Sequence, residues 1–229
     1  MAAGAHRWSR HYLDLDTGGL TEHPPHATQA AEFTARSAGL LFALPAAEHD
    51  AEFTGPAAMT LFASSDTRDA DLFVTVHLFD PDGTEVLFTG ASEPNAPVSQ
   101  GWLRMSHREL DPALSLPHRP WHPHTTPAPL QPHQVYEAHV EIWPLSIVVP
   151  AGYRLAVSIR GQDYTHDLAP GPLGVRGSGP FWHELPGDRD DPAYDGRTTL
   201  HSAPGQHPSL LLPLIPAEDH DHDSGAFRP

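Results

Sequence analysis

Apolar and polar residues alternate with a period of two along much of the chain, the mark of strands with one dry and one wet face. In "VYEAHVEIW", Tyr136, Ala138, Val140 and Ile142 alternate with Glu137, His139 and Glu141. In "YRLAVSIR", Tyr153, Leu155, Val157 and Ile159 alternate with Arg154, Ala156, Ser158 and Arg160. Between them "PLSIVVPAG" holds a short apolar run and a Pro-Ala-Gly turn. Upstream, "DLFVTVHLFD" runs into Pro81-Asp82-Gly83 and then "TEVLFTG", which predicts a hairpin. Further strands are predicted over residues 8–15, 31–35, 40–44, 51–55, 58–65, 101–107 and 209–215. The predicted core includes Leu61, Val74, Val76, Val140, Ile142, Leu155, Val157 and Leu211.

Many short strands, turn signals between them and no βα alternation predict an all-β fold. The natural architecture is a jelly-roll β-sandwich of two antiparallel sheets, with long irregular loops. Three stretches are long and irregular: Glu93–Gln100, Leu110–Gln134 and Gly161–His207. Loops of that length are uncommon in a compact domain unless they cover something or are covered. The expected organisation is an N-terminal arm over 1–7, one domain over 8–216 and a disordered acidic tail over 217–229.

Composition supports this picture. The 229 residues suit one large all-β domain or two small ones, and 26 prolines with 18 glycines interrupt almost every window of helical length. The formal charge is −16, and such a surface repels phosphate, so neither nucleic acid nor an anionic membrane is an expected partner. All 13 basic residues are arginine, and with 18 histidines some close spacings arise by chance. There is no cysteine, which excludes disulfides, thiolate metal sites and a thiol nucleophile. "MAAGAHRWSRHYLDLD" has no apolar signal-peptide core and no run is long enough for a membrane helix, so a cytoplasmic location is expected.

Several constellations invite a chemical reading. "LPHRPWHPHTTPAPLQPHQ" spaces His118, His122 and His124 as H-x3-H-x-H. A zinc site needs three or four converging ligands, and this segment holds no carboxylate. The competing reading is a polyproline-like strap on the sandwich, anchored by Trp121. Asp66, Asp69 and Asp71 are close enough to suggest calcium but lack EF-hand spacing, and turn capping accounts for them. "DHDHD" at 219–223 reads as acidic tail. G-x-S-x-G, a phosphate loop and H-E-x-x-H are absent; Ser178, His183 and Asp188 crowd one loop, unlike a triad assembled from separate elements. No catalytic, cofactor-binding or metal-ligating set emerges. The aromatic and histidine positions Trp102, Trp121, His122 and Trp182 remain as candidate interface or ligand-facing residues.

The order of segments carries more than any single site. "SSDTRDADLFV", "GWLRMSHRELDP", "VEIWP…VVPAGYRLAV", "GSGPFWHELPGDR" and "TTLHSAPGQHPSLLLPLIP" follow one another as in the C-terminal domain of X-Pro dipeptidyl-peptidase and cocaine-esterase-like (CocE/NonD) hydrolases, which the chain resembles over about residues 8–216. The resemblance implies a jelly-roll domain, similar to galactose-binding-like domains, that packs on an α/β-hydrolase domain carrying the Ser–Asp–His triad. Members cleave X-Pro dipeptides, esters or amides. The hydrolase domain is missing here, so no family catalytic residue carries over, and His201 does not match the triad histidine. The implied function is an accessory, non-catalytic domain whose partner is an α/β-hydrolase domain on a separate chain. A stand-alone carbohydrate- or protein-binding module is the alternative.

Overall fold

A computed structural model of the chain describes residues 7–90, 93–171, 174, 176–177, 182–183, 187 and 189–216. Among these residues twelve strands form: β1 (Arg7–Asp14), β2 (Gly19–Thr21), β3 (Gln29–Thr34), β4 (Leu40–Ala43), β5 (Ala51–Ser65), β6 (Asp71–Phe79), β7 (Glu85–Val86), β8 (Ser99–Arg104), β9 (Tyr136–Val149), β10 (Arg154–Arg160), β11 (Arg197–Ser202) and β12 (Ser209–Ile215). No α-helix occurs among the described residues; short 3-10 turns lie at Met105–His107 and Pro192–Tyr194. The fold is all-β.

Where two separate sheets were expected, backbone bonding joins the twelve strands into one sheet in the order β3-β11-β5-β12-β1-β2-β4-β10-β6-β7. β9 adds to β5 and β8 adds to β6. All pairs are antiparallel except β2 with β4, where the single register pair Gly19↔Ala43 bridges the two halves. The sheet curls until β8 and β9, one from each half, lie side by side without a ladder between them. Ser99 Oγ donates to the Trp143 carbonyl at 2.7 Å, and a Cβ on Gly101 would strike the Glu141 carbonyl oxygen.

The core sits inside this curl. Leu61, Val74, Val76, Val140, Ile142, Leu155 and Val157 all join one buried cluster. Each such side chain contributes roughly 1.5–3 kcal/mol by leaving water. Leu211 is buried too but points the other way, since its neighbours Leu210 and Leu212 are the ones in the cluster. The predicted hairpin forms at Asp80–Thr84, with Gly83 at φ 84° supplying the turn conformation.

Two predicted breaks are absent. Residues 51–55 and 58–65 belong to one 15-residue strand, and 136–149 to another of 14. Between the pairs Ala57↔Ile142 and Gly55↔Leu145, β5 has one residue and β9 has two, Trp143 and Pro144. That bulge absorbs a proline that cannot donate to a ladder. It also rephases the strand, so Ala138, Val140 and Ile142 hand over to Leu145, Ile147 and Val149 on the same inner face.

One strand lies inside a stretch read as irregular. β11 occupies Arg197–Ser202 within Gly161–His207. Its buried residues are Thr198, Leu200 and Ser202, so its inner face has little hydrophobic contrast with its outer one.

The long loops cover the outer faces of the sheet. The strap over 110–134 reaches β1, where His118 stacks on Trp8 with ring centroids 4.5 Å apart, and β5, where His133 N–H donates to the Ser65 carbonyl. The segment after β10 lies over β6, where Arg189 meets Asp71 and His183 packs on Phe73. The tail over 217–229 and the first six residues of the arm fall outside the described residues.

Candidate functional site

β8 and β9 approach closely because residue 101 is glycine. A larger side chain there would meet the Glu141 backbone, so β8 could not lie against β9. The approach sets Trp102 beside Trp143, with ring centroids 5.3 Å apart. Both point outward, Trp102 by strand parity and Trp143 from the bulge. Two adjoining pockets open along this seam and share Trp102 and Leu103.

The first pocket, about 410 Å³, lies under the strap and is lined by Trp102, Trp121, Trp143, Glu141, His122 and His124, with Pro120 among its other walls. Trp121 and Trp143 are 47% and 43% exposed. Glu141 is half-buried and has no ion-pair or hydrogen-bond partner among the described residues. Burial, then the neighbouring His107 and His122, push His124 below its ordinary value, which favours its neutral form.

The second pocket, about 420 Å³, lies under the segment after β10 and is lined by Asp71, Phe73, Trp102, Arg104, His183 and Arg189 among others. Its charges are mutually paired. Arg104 donates twice to Asp71, at 2.8 and 3.1 Å, and this bond raises the guanidinium above its ordinary value. Arg189 Nε lies 2.9 Å from the other side of that carboxylate as a charge contact, and its NH2 group donates to the Gly161 carbonyl. His183 is held by Asp163, which takes its backbone N–H at 2.6 Å and faces its Nδ1 at 3.0 Å.

Trp102, Trp121 and His122, singled out in the sequence, therefore meet at one pocket. Trp182 is half-buried, and it is its neighbour His183 whose ring packs on Trp102 at 4.9 Å. Sequence reasoning missed Trp143 and Glu141. Their signal was the parity of β9, on which 137, 139, 141 and 143 share the outer face.

Trp121 does not anchor the strap as expected. Its backbone is tied into a loop, since its N–H donates to Ser115 Oγ and its carbonyl accepts from Asp111 N–H, and the indole is left outward. Buried Pro120 and Leu130 do the anchoring, with His122. Nor is the strap evenly extended, because His124 and His133 take φ values of 52° and 66°.

Two of the three H-x3-H-x-H histidines are spent on structure. His118 stacks on Trp8, and both nitrogens of His122 face carbonyl oxygens, Glu109 at 3.0 Å and His139 at 2.8 Å. Both ring nitrogens of His122 are thus engaged by the backbone rather than turned to a shared metal point. The three aspartates are also dispersed. Asp66 accepts from Arg197 N–H, Asp69 from Ala70 and Ser106 N–H, and Asp71 takes the arginines. Ser178 and Asp188 lie outside the described residues.

A relay of Ser–His–Glu geometry lies elsewhere, between β6, β7 and β10. His77 Nε2 is 2.8 Å from Ser158 Oγ, and His77 Nδ1 is 2.6 Å from Glu85 Oε1. Tyr164 donates to Glu85 Oε2 at 2.9 Å, and Arg160 Nε donates to Ser158 Oγ. Burial pushes Glu85 up, but the bonds from His77 and Tyr164 outweigh it and hold the carboxyl below its ordinary value. Burial and the Glu85 charge raise the Tyr164 phenol. Ser158 is 1% exposed and His77 2%, so no substrate carbonyl can reach the hydroxyl. The relay is a satisfied polar network.

Comparison with known proteins agrees with the architecture. The family described as X-Pro dipeptidyl-peptidase C-terminal non-catalytic domain matches residues 6–211, and the chain belongs to it. A Mycobacterium bovis protein named "putative serine esterase" is 28% identical over 171 residues, covering 72% of this chain and 24% of the relative. Among solved structures, a CocE/NonD family hydrolase from Staphylococcus aureus superposes with TM-score 0.81 at 23% identity, over 92% of this chain and 37% of that one. An aminopeptidase from a marine-sediment archaeon of the Thaumarchaeota gives TM-score 0.64 at 17% identity, again over 92% and 37%. The chain thus spans about a quarter of the length of the curated relatives it matches.

Proposed function

We propose that this chain is the accessory β-domain of a CocE/NonD-like serine hydrolase, and that it works beside an α/β-hydrolase domain supplied by another chain. The observation that carries this reading is the non-catalytic family match over 6–211 in a chain that spans 24% of a serine-esterase relative. The curled sheet, with halves joined at Gly19↔Ala43, is read as a jelly roll of the galactose-binding-like kind. Hydrolysis of X-Pro peptides, esters or amides would belong to the partner. The domain would shape its cleft or stabilise it. The test is co-expression with an α/β-hydrolase-domain protein encoded beside this one. A stoichiometric complex on size exclusion is expected, with a fluorophosphonate probe labelling only the partner. Separate elution, or no such gene alongside, counts against the proposal.

A second reading, a stand-alone carbohydrate- or protein-binding module, is favoured by one observation: three tryptophans line a single open pocket. A glycan array is its first test, and an empty array would leave the carbohydrate version without support.

A further inference from the structure

The strap-side pocket combines two features with one chemical complement. Trp102, Trp121 and Trp143 line it, and Glu141 is a half-buried carboxylate without a protein partner among the described residues. Among the described residues no arginine lines this pocket. Of the two histidines, His122 already directs both nitrogens to carbonyl oxygens, and His124 is exposed, held below its ordinary value by partial desolvation and by the neighbouring His107 and His122. Glu141 is the one carboxylate among the described residues that line the pocket. Indoles attract cations through the ring quadrupole, and weakly hydrated cations lose least on leaving water. The net charge of −16 over the chain raises the local concentration of cations further.

We infer that the seam between β8 and β9 is a binding site for a small alkylated ammonium ion, seated among Trp102, Trp121 and Trp143 with Glu141 as its counter-charge. The volume of about 410 Å³ holds such a head group with a short substituent. Sugar is a poorer complement, because among the described residues these walls offer an array of hydroxyls only Glu141, His124 and indole N–H groups beyond the engaged His122. The site is formed by this chain alone and does not depend on a hydrolase partner. It can stand if the accessory-domain reading fails, and fall if that reading holds.

The test titrates the full chain with choline while following the indole N–H resonances. The neutral isostere 3,3-dimethyl-1-butanol serves as the matched control. Saturable choline binding with a dissociation constant on the order of 1 mM is expected, with shifts at Trp102, Trp121 and Trp143. Little response to the isostere is expected. Glu141→Gln keeps shape and removes charge, so it should weaken choline binding by about five- to tenfold. Trp143→Phe, checked for folding by near-ultraviolet circular dichroism, should weaken it less. Equal binding of the isostere would show an apolar pocket and overturn the inference. So would the absence of saturation by choline, unchanged affinity in Glu141→Gln, or tighter binding of N-acetyl-arginine amide, which would assign the pocket to a partner's arginine.

Discussion

The seam between β8 and β9 and the His77 relay use similar residue types on the outer face of one sheet, and they do opposite things. At the relay, Tyr164 and Glu85 close over His77 and Ser158, and each donor meets an acceptor. At the seam, Glu141 is left without a partner among the described residues, and two indoles remain over 40% exposed. Identity of side chains does not separate the two. What separates them is whether the covering segment satisfies the polar groups beneath it. The segment after β10 does so over the relay and over Asp71, whereas the strap stops short of Glu141 and walls a pocket instead.

The largest effect is expected at the relay. His77→Ala would leave the Glu85 carboxylate short of its main donor and open a void, at a cost of roughly 3 kcal/mol in urea unfolding. A fluorophosphonate probe should meanwhile leave Ser158 unlabelled in the intact chain. Mass spectrometry showing the adduct there would erase the distinction between the two regions. Next comes Gly101→Ala, which pushes Cβ into the Glu141 backbone. It should cost about 1–3 kcal/mol and abolish choline binding, since the indoles part with the strands.

A smaller and more diffuse effect should follow pH. Burial depresses His11, His124, His139 and His201 below the ordinary 6.5. Between the folded and unfolded values the unfolded chain binds more protons. Stability from these groups is therefore complete above about pH 6.5 and falls as the pH drops through their folded values. Glu85, also depressed, adds a further loss below the carboxylate range. Thermal unfolding at pH 7 and pH 5 checks the sign, and a higher melting temperature at pH 5 would contradict it. The smallest effect is Glu141→Gln, which should move stability by no more than about 0.5 kcal/mol while changing binding. A large stability loss would show that Glu141 has a structural duty the seam picture denies it.

Much of this was legible in the alternation of the chain. Val140, Ile142, Leu155 and Val157 announce their strands because each inner residue is apolar and each outer one polar or small. β11 was illegible because Thr198 and Ser202 face inward beside a single leucine. Gly55-Pro56 and Trp143-Pro144 looked like strand ends, yet they oppose each other across a bulge that only the paired register reveals. At the site, Trp102, Trp121 and His122 drew notice as residue types. Their convergence depended on Gly101 permitting a close approach to the Glu141–Ile142 backbone of a strand distant in sequence. The depth of Trp121 was misjudged because a tryptophan among prolines suggests burial. The Asp111–Ser115 loop that turns its indole outward is a hydrogen-bonding outcome with no periodic signature.

The dressing of β9 has a further consequence. A 14-residue strand paired on one side exposes a row of carbonyls on the other, which invites a second chain to add a strand. Here the His139 carbonyl is taken by His122, the Glu141 carbonyl abuts Gly101 and the Trp143 carbonyl is taken by Ser99. β8 hides its own spare edge in the same contact. The two strands thus shield each other from intermolecular growth, and the histidine that first suggested a metal helps keep the protein from polymerising.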